Sequence, residues 1–192
     1  NKNKDTNEHQ EEINTQINIH NTTNYQNNNA NTILHIACAY KLKNIIIKLL
    51  TFENININIS NTFIDCDVEI QNYTPLHIIC HNNMKDILDI FLKMQNVNIN
   101  ERNYYLKRSP LYIACKHNNI DIVLTLIKHK NININIQDDC GNTPLHIACE
   151  RNNIKCVLAL IKHKNININI QNYECDTPLH IACKQINGVK SA

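Results

Sequence analysis

Thr143-Pro144-Leu145-His146-Ile147-Ala148-Cys149-Glu150-Arg151-Asn152-Asn153 is the stretch whose reading decides the fold. Thr is a good helix N-cap, and Pro144 at the first helical position gives up an amide hydrogen that has no helical partner anyway. Leu145, Ala148 and Cys149 then fall at i, i+3 and i+4 on one face of a short helix. The helix is expected to stop at Asn152-Asn153, because Asn tolerates a left-handed turn. Downstream, Val157, Leu158, Leu160 and Ile161 form the apolar face of a second helix. Lys162, His163 and Lys164 sit in its last turn, where cations suit the helix dipole, and Asn165 is expected to supply a left-handed cap.

The same reading applies along most of the chain. Thr32-Ile33-Leu34-His35-Ile36-Ala37-Cys38, Thr74-Pro75-Leu76-His77-Ile78-Ile79-Cys80, Ser109-Pro110-Leu111-Tyr112-Ile113-Ala114-Cys115 and Thr177-Pro178-Leu179-His180-Ile181-Ala182-Cys183 repeat the motif. The starts at 32, 74, 109, 143 and 177 are separated by 42, 35, 34 and 34 residues. An alternating Asn/Ile run begins at Asn54, Asn96, Asn131 and Asn165, each 22 residues after its motif. A rigid helical pair joined by a connection that tolerates insertion gives this pattern. Two short helices cannot bury their apolar faces alone, so the units must stack into a solenoid.

These residues resemble the ankyrin-repeat family. Its helix start is the Thr-Pro-Leu-His tetrapeptide followed by a small apolar pair. Its connecting stretch is matched by Asn131-Ile132-Asn133-Ile134-Asn135-Ile136-Gln137-Asp138, with Asn135 and Asp138 at the family's Asn and Asp positions. The resemblance covers Thr32 to Cys183 and implies an all-α solenoid of helix-turn-helix units joined by extended, β-hairpin-like fingers. Departures are Asn for Gly at the caps, Tyr112 for the motif His, Ile33 for the first Pro and Ile79 for a small residue. Ile79 predicts a looser or shifted contact between the first two units.

The expected organisation is therefore a polar, Asn-rich segment at 1–31 with a remnant finger at 14–21, repeats at 32–183 with the last incomplete, and a C-terminal tail at 184–192. The tail is expected to fray, since a solenoid normally needs a polar capping unit. The 36 asparagines and the scarcity of Gly and Pro are what an AT-rich coding sequence produces, and on that reading the Asn runs carry no functional signal. A prion-like Asn-rich segment is the competing reading, disfavoured by the helical pattern.

Composition narrows the function by exclusion. A formal net charge of +2, from 19 basic and 17 acidic residues, offers no single-sign field for a nucleic acid or an anionic membrane. No run of apolar residues is long enough to span a bilayer, and Asn1 to Glu12 are too polar for a secretory signal. An intracellular, cytoplasmic location is expected, with the nucleus left open.

The nine Cys and ten His are mostly absorbed by the period. Cys38, Cys80, Cys115, Cys149 and Cys183 share one unit position that the family reserves for a small buried residue, and free Cys packs as a small hydrophobe. His35, His77, His146 and His180 share another, which the resemblance assigns to bonds within and between repeats. No Cys-x-x-Cys pair and no zinc-finger spacing occur. Cys66, Cys140 and Cys175 fall in connections and are expected to be exposed, while Cys156 falls in a second helix. With Gly141 and Gly188 the only glycines, a phosphate-cradling loop is ruled out. No metal, cofactor or catalytic residue is expected, and the chain is read as a non-enzyme. The acids at Asp65, Asp67 and Glu69 in the long connection between the first and second motifs lack the Gly and the terminal Glu of a calcium loop.

The resemblance implies a protein-interaction scaffold that binds a partner protein through finger tips and a concave face. Carried over by position, the expected contact residues are Tyr73, His81, Arg108, Lys116, His117, Asp139, Asn142, Glu150, Arg151, Tyr173 and Glu174. Tyr104 and Tyr105 join them on the finger with one extra residue, and Phe63, Asp65 and Asp67 on the longest connection. Tyr and Arg most often dominate interface energy, which favours Tyr73, Tyr105, Arg108, Arg151 and Tyr173 as anchors. No small-molecule substrate is expected, and nucleic acid is disfavoured. The alternative is an interaction module of a larger polypeptide whose enzymatic domain lies outside this sequence.

Overall fold

The computed structural model describes residues 32–52, 55–60 and 72–189. The readings for 1–31, for Phe63, Asp65, Cys66 and Asp67, and for the last three residues lie outside the described residues. The helices, in chain order, are α1 (Ile33–Ala39), α2 (Lys43–Leu49), α3 (Pro75–His81), α4 (Lys85–Phe91), α5 (Pro110–Lys116), α6 (Ile120–Leu126), α7 (Pro144–Glu150), α8 (Ile154–Ile161) and α9 (Pro178–Val189). Each of the first four units is a helical pair, and consecutive units stack in two layers. The first helices pack in the order α1, α3, α5, α7, α9, and the second helices in the order α2, α4, α6, α8.

The motif side chains do the joining. Thr74 accepts a hydrogen bond from the His77 amide, and the Thr74 amide donates to Nδ1 of His77 at 3.2 Å. The same reciprocal cap occurs at Thr32 with His35 and at Thr143 with His146. Because Nδ1 accepts, the imidazole proton sits on Nε2, which donates across to the next unit. His35 reaches the carbonyls of Ile59 (2.9 Å) and Tyr73 (3.1 Å), His77 that of Arg108 (3.0 Å), and His146 that of Asp176 (3.0 Å). One neutral ring thus closes a helix start and ties two units. Burial opposes a charge there, and holds His35 and His77 down to about 4.

At Tyr112 the arrangement changes. Ser109 still caps the helix, accepting from the Tyr112 amide at 3.2 Å. The phenol is buried and hydrogen-bonded to the Asp138 carboxylate, so burial and the nearby negative charge both push its ionisation up. The Arg108 guanidinium lies 5.2 Å over the Tyr112 ring, with its Nε 4.0 Å from Asp138 Oδ2.

Between the paired helices the left-handed residue is Lys41, Asn83, Asn118 or Asn152, with φ between 54° and 57°. Asn152 therefore turns as its sequence predicts. Asn165 does not: it is not among the positive-φ residues. The second helix tightens instead, with the His163 amide donating to Leu160 and the Ile166 amide to His163, while Nδ1 of His163 accepts from the Asn165 amide at 3.2 Å. The histidine ring takes up a backbone donor that would otherwise favour a left-handed cap.

The asparagines of these runs have a structural role. In each Asn/Ile run the earlier Asn closes an Asx turn onto the amide two residues on, as Asn98 does for Asn100 and Asn133 for Asn135. The next Asn brackets the following unit. Asn100 donates to the Asn131 carbonyl (2.7 Å) and accepts from the Asn133 amide (2.8 Å). Asn58 and Asn135 repeat this with Asn96 and Asn98, and with Asn165 and Asn167. The intervening Ile57, Ile99 and Ile134 are core residues. A second set works at helix ends: Asn119 and Asn153, at the N-caps of α6 and α8, leave their own helices uncapped and bond back to the Cys80 and Cys115 carbonyls. Met84 occupies that place in the second unit, and Asn82 reaches the Cys38 carbonyl in its stead.

The core runs through the stack as one cluster. Ile79 is fully enclosed in it, so its extra carbons are accommodated inside. Cys38, Cys80 and Cys115 are buried as their period predicts. Cys149 is only half-buried and Cys183 is exposed, because fewer units cover the end of the stack. The fifth first helix is also longer than its counterparts: α9 continues through residues 184–189, a stretch the sequence pattern assigns to a tail.

Candidate interaction surface

The finger tips are built from the polar residue that opens each turn. Asn103 accepts from the Arg108 amide (2.7 Å) through its side chain, and its amide donates to the Arg108 carbonyl (3.0 Å). Asp138 Oδ1 accepts from the amides of Cys140 (3.0 Å) and Asn142 (2.8 Å), and Asn172 Oδ1 from Glu174 (3.0 Å) and Asp176 (2.9 Å). Each turn then needs one left-handed residue, filled by Lys107, Gly141 and Cys175 with φ of 52°, 80° and 62°. Side chains thus close the turns, and no strand forms among the described residues.

Neighbouring tips are also knitted together. The Asp139 amide donates to the Leu106 carbonyl and the Tyr173 amide to the Cys140 carbonyl, both at 3.0 Å. Gly141 lies so close to Tyr173 that a Cβ there would meet its Cδ1 and its amide nitrogen at 2.9 Å. The result is a row of fixed tips bearing exposed aromatic rings. Tyr104, Tyr105 and Tyr173 are 68%, 67% and 76% exposed. Tyr104 and Tyr105 meet edge to face with centroids 5.8 Å apart, and Lys107 Nζ stands 4.9 Å from the Tyr104 ring. Asp139 and Glu174 are exposed beside them.

A second group lies at the C-terminal ends of α3, α5 and α7. His81 and His117 are half-buried with ring centroids 4.3 Å apart, Lys116 is half-buried, and Glu150 and Arg151 are exposed, 3.8 Å from each other. Two of the five anchors favoured on sequence are placed otherwise. Tyr73 is buried, its ring 5.3 Å from that of His77 and 6.4 Å from that of His81, and its carbonyl accepts from His35. Arg108 is half-buried, drawn down onto Tyr112 and toward Asp138. Asn142 is likewise held, its side-chain oxygen accepting from Asn172 at 2.9 Å. Cys140 is exposed at a tip as its place in a connection predicts, and Leu106, also exposed, is not singled out by the sequence; its place between turn-closing Asn103 and left-handed Lys107 is the available signal.

Burial and the Asp138 and Asp139 carboxylates push the Cys140 thiol up, away from a reactive thiolate. Ligand atoms of Asp138, Asp139 and Cys140 lie within 4.8 Å of one another, and Oδ1 of Asp138 accepts from two amides of the turn. Both imidazole nitrogens of His35, His77 and His146 are committed to hydrogen bonds. Among the described residues no helix is long and apolar enough to cross a membrane.

No curated protein matches the chain in sequence. The family of ankyrin repeats (many copies) matches it over residues 76–127, 111–161 and 147–188.

Proposed function

Because the chain belongs to the ankyrin-repeat family, whose repeats generally serve protein–protein interaction and typically carry no catalysis, we propose that it is a scaffold or adaptor that binds a partner protein through its finger tips. The observation that carries this reading is the row of exposed Tyr104, Tyr105 and Tyr173 on tips tied by backbone hydrogen bonds. Large rings held in place before binding lose little entropy on contact, and aromatic residues supply much of the energy of protein interfaces. Asp139 and Glu174 at the tips, with Lys116, His117, Glu150, Arg151 and His81 on the adjoining helix ends, supply the polar rim. Tyr73 stands inside the stack and supports the surface rather than forming it.

The experiment is affinity capture from a cell lysate with the wild-type chain and with the triple variant Tyr104→Ala, Tyr105→Ala and Tyr173→Ala. The scaffold reading expects specific proteins in the wild-type capture to be lost from the variant at unchanged helicity. Full retention by the variant would count against it. Deleting residues 62–69 in parallel tests the contribution of Phe63, Asp65 and Asp67.

A further inference from the structure

One of the cysteines placed by the repeat period meets a second cysteine inside the stack. Cys38, Cys80 and Cys115 stand at one place of the first helix in three successive units, and all three are fully buried. In the second helix of the fourth unit, Cys156 holds the position that Ile87 and Ile122 hold on α4 and α6. Where those helices put an aliphatic chain, α8 puts a thiol. That thiol is hydrogen-bonded to the thiol of Cys115 in the preceding unit. It also lies 3.5 Å from Oδ1 of Asn118, the left-handed residue in the turn of the third unit. The contacts run in one direction: the Cys156 S–H donates to Asn118, so the Cys115 S–H donates to the sulfur of Cys156.

This arrangement gives the two sulfurs different chemistry. Burial pushes the thiols of Cys38, Cys80, Cys115 and Cys149 up. The Cys156 thiol moves the other way, because the bond from Cys115 stabilises its thiolate. Thiolate is the form that peroxides oxidise. Cys156 is itself buried, but Asn118 is exposed, so the sulfur lies one side chain from the surface. That suits an oxidant as small as hydrogen peroxide and not a bulky one.

We infer that Cys115 and Cys156 form a modification site, which a peroxide oxidises to a disulfide pinning α5 of the third unit to α8 of the fourth. The Cys156 thiolate attacks one peroxide oxygen, the O–O bond breaks, and the departing hydroxide takes up the proton Cys156 released, leaving water and a sulfenic acid. The Cys115 sulfur then displaces the hydroxyl group from the sulfenic sulfur, and its own proton leaves with that group as a second water. The two thiols lose two electrons to one peroxide. Bringing touching sulfurs to the bonded separation of about 2.0 Å is a small shift at one unit interface. The bridge also restricts the unfolded chain, so the oxidised protein resists urea better than the reduced one.

The experiment treats the full, reduced chain with a low molar excess of hydrogen peroxide, then applies an acid quench, unfolding, alkylation of the remaining thiols and trypsin without reductant. Cys115 and Cys156 fall in separate tryptic peptides, 109–116 and 156–162, each with one cysteine. Mass spectrometry should find these two joined as the main disulfide, and dithiothreitol should part them. Cys156→Val should abolish the joined species and leave Cys115 alkylated, whereas Cys115→Ala should leave Cys156 as a sulfenic acid that dimedone traps. Absence of the joined peptides from the folded wild-type chain would overturn the proposal. So would their appearance only in urea, or pairing of either sulfur mainly with another cysteine. The deciding readout is on the wild-type chain, so it stands even where a variant fails to fold.

Discussion

Nε2 of His77 lies 3.0 Å from the main-chain oxygen of Arg108, a bond the neutral ring makes with its proton on Nε2 while its other nitrogen is left free to accept. Nδ1 accepts from the amide of Thr74 at 3.2 Å. A proton on Nδ1 would set donor against donor at the helix cap, and would place a charge inside the stack.

Acid should therefore loosen the stack well above the carboxylate range. Burial holds His35 and His77 down to about 4 and also lowers His146, against an ordinary value of 6.5. With the folded value below the unfolded one, the unfolded chain binds more protons between pH 6.5 and about 4. Stability is fully present above 6.5, falls as pH drops through that window, and levels off below about 4. The full loss should be about 3 kcal/mol for each of His35 and His77. Urea midpoints at pH 7.5, 5.5 and 4.5 measure it; a flat profile would contradict the neutral-ring cap.

Gly141 and Cys175 occupy equivalent left-handed places in successive tips, at φ of 80° and 62°. Gly141→Ala should destabilise by about 2–3 kcal/mol, since it adds left-handed strain and a Cβ 2.9 Å from Tyr173. Cys175→Gly should move the other way, stabilising by about 1 kcal/mol through relief of the same backbone strain. Opposite shifts in the urea midpoint are the expected result; equal signs would mean the tips are not equivalent.

Asn100→Ala removes both halves of a bracket, the bonds to the Asn131 carbonyl and the Asn133 amide. A cost of about 1–2 kcal/mol is expected, with faster hydrogen exchange concentrated at Asn133. If exchange there is unchanged, the bracket does not hold in solution.

The final unit should be the least protected. α9 carries an exposed Leu179, His180 and Cys183 whose counterparts in α7 are buried or half-buried, so its amides should exchange faster than those of α5 and α7. Strong protection throughout residues 177–189 would show that the exposed end is held in some other way.

Much of this fold could be read from the chain because its signals are local. Thr143 and Pro144 mark a helix start through their own backbone chemistry, and Asn152 turns left-handed in the place its position predicts. Asn165 shows the limit. Its amide is taken by His163 of the preceding turn, a local competition that residue preference alone does not rank. The exposure of the candidate surface was legible in part. The position of Tyr104, Tyr105 and Tyr173 in the fingers was enough to expose them, whereas Tyr73 at a similar position is buried.

By itself the sequence determined the period, the paired helices and the identity of the core, since caps, turns and apolar spacing act over a few residues. Tertiary structure decided the rest: that asparagines bracket successive units, that Tyr112 answers to Asp138, that Tyr73 lies inside, and that Ile168 and Leu179 are left bare. Each of these depends on a partner about one repeat away or on its absence, and only stacking fixes which atoms meet across that distance.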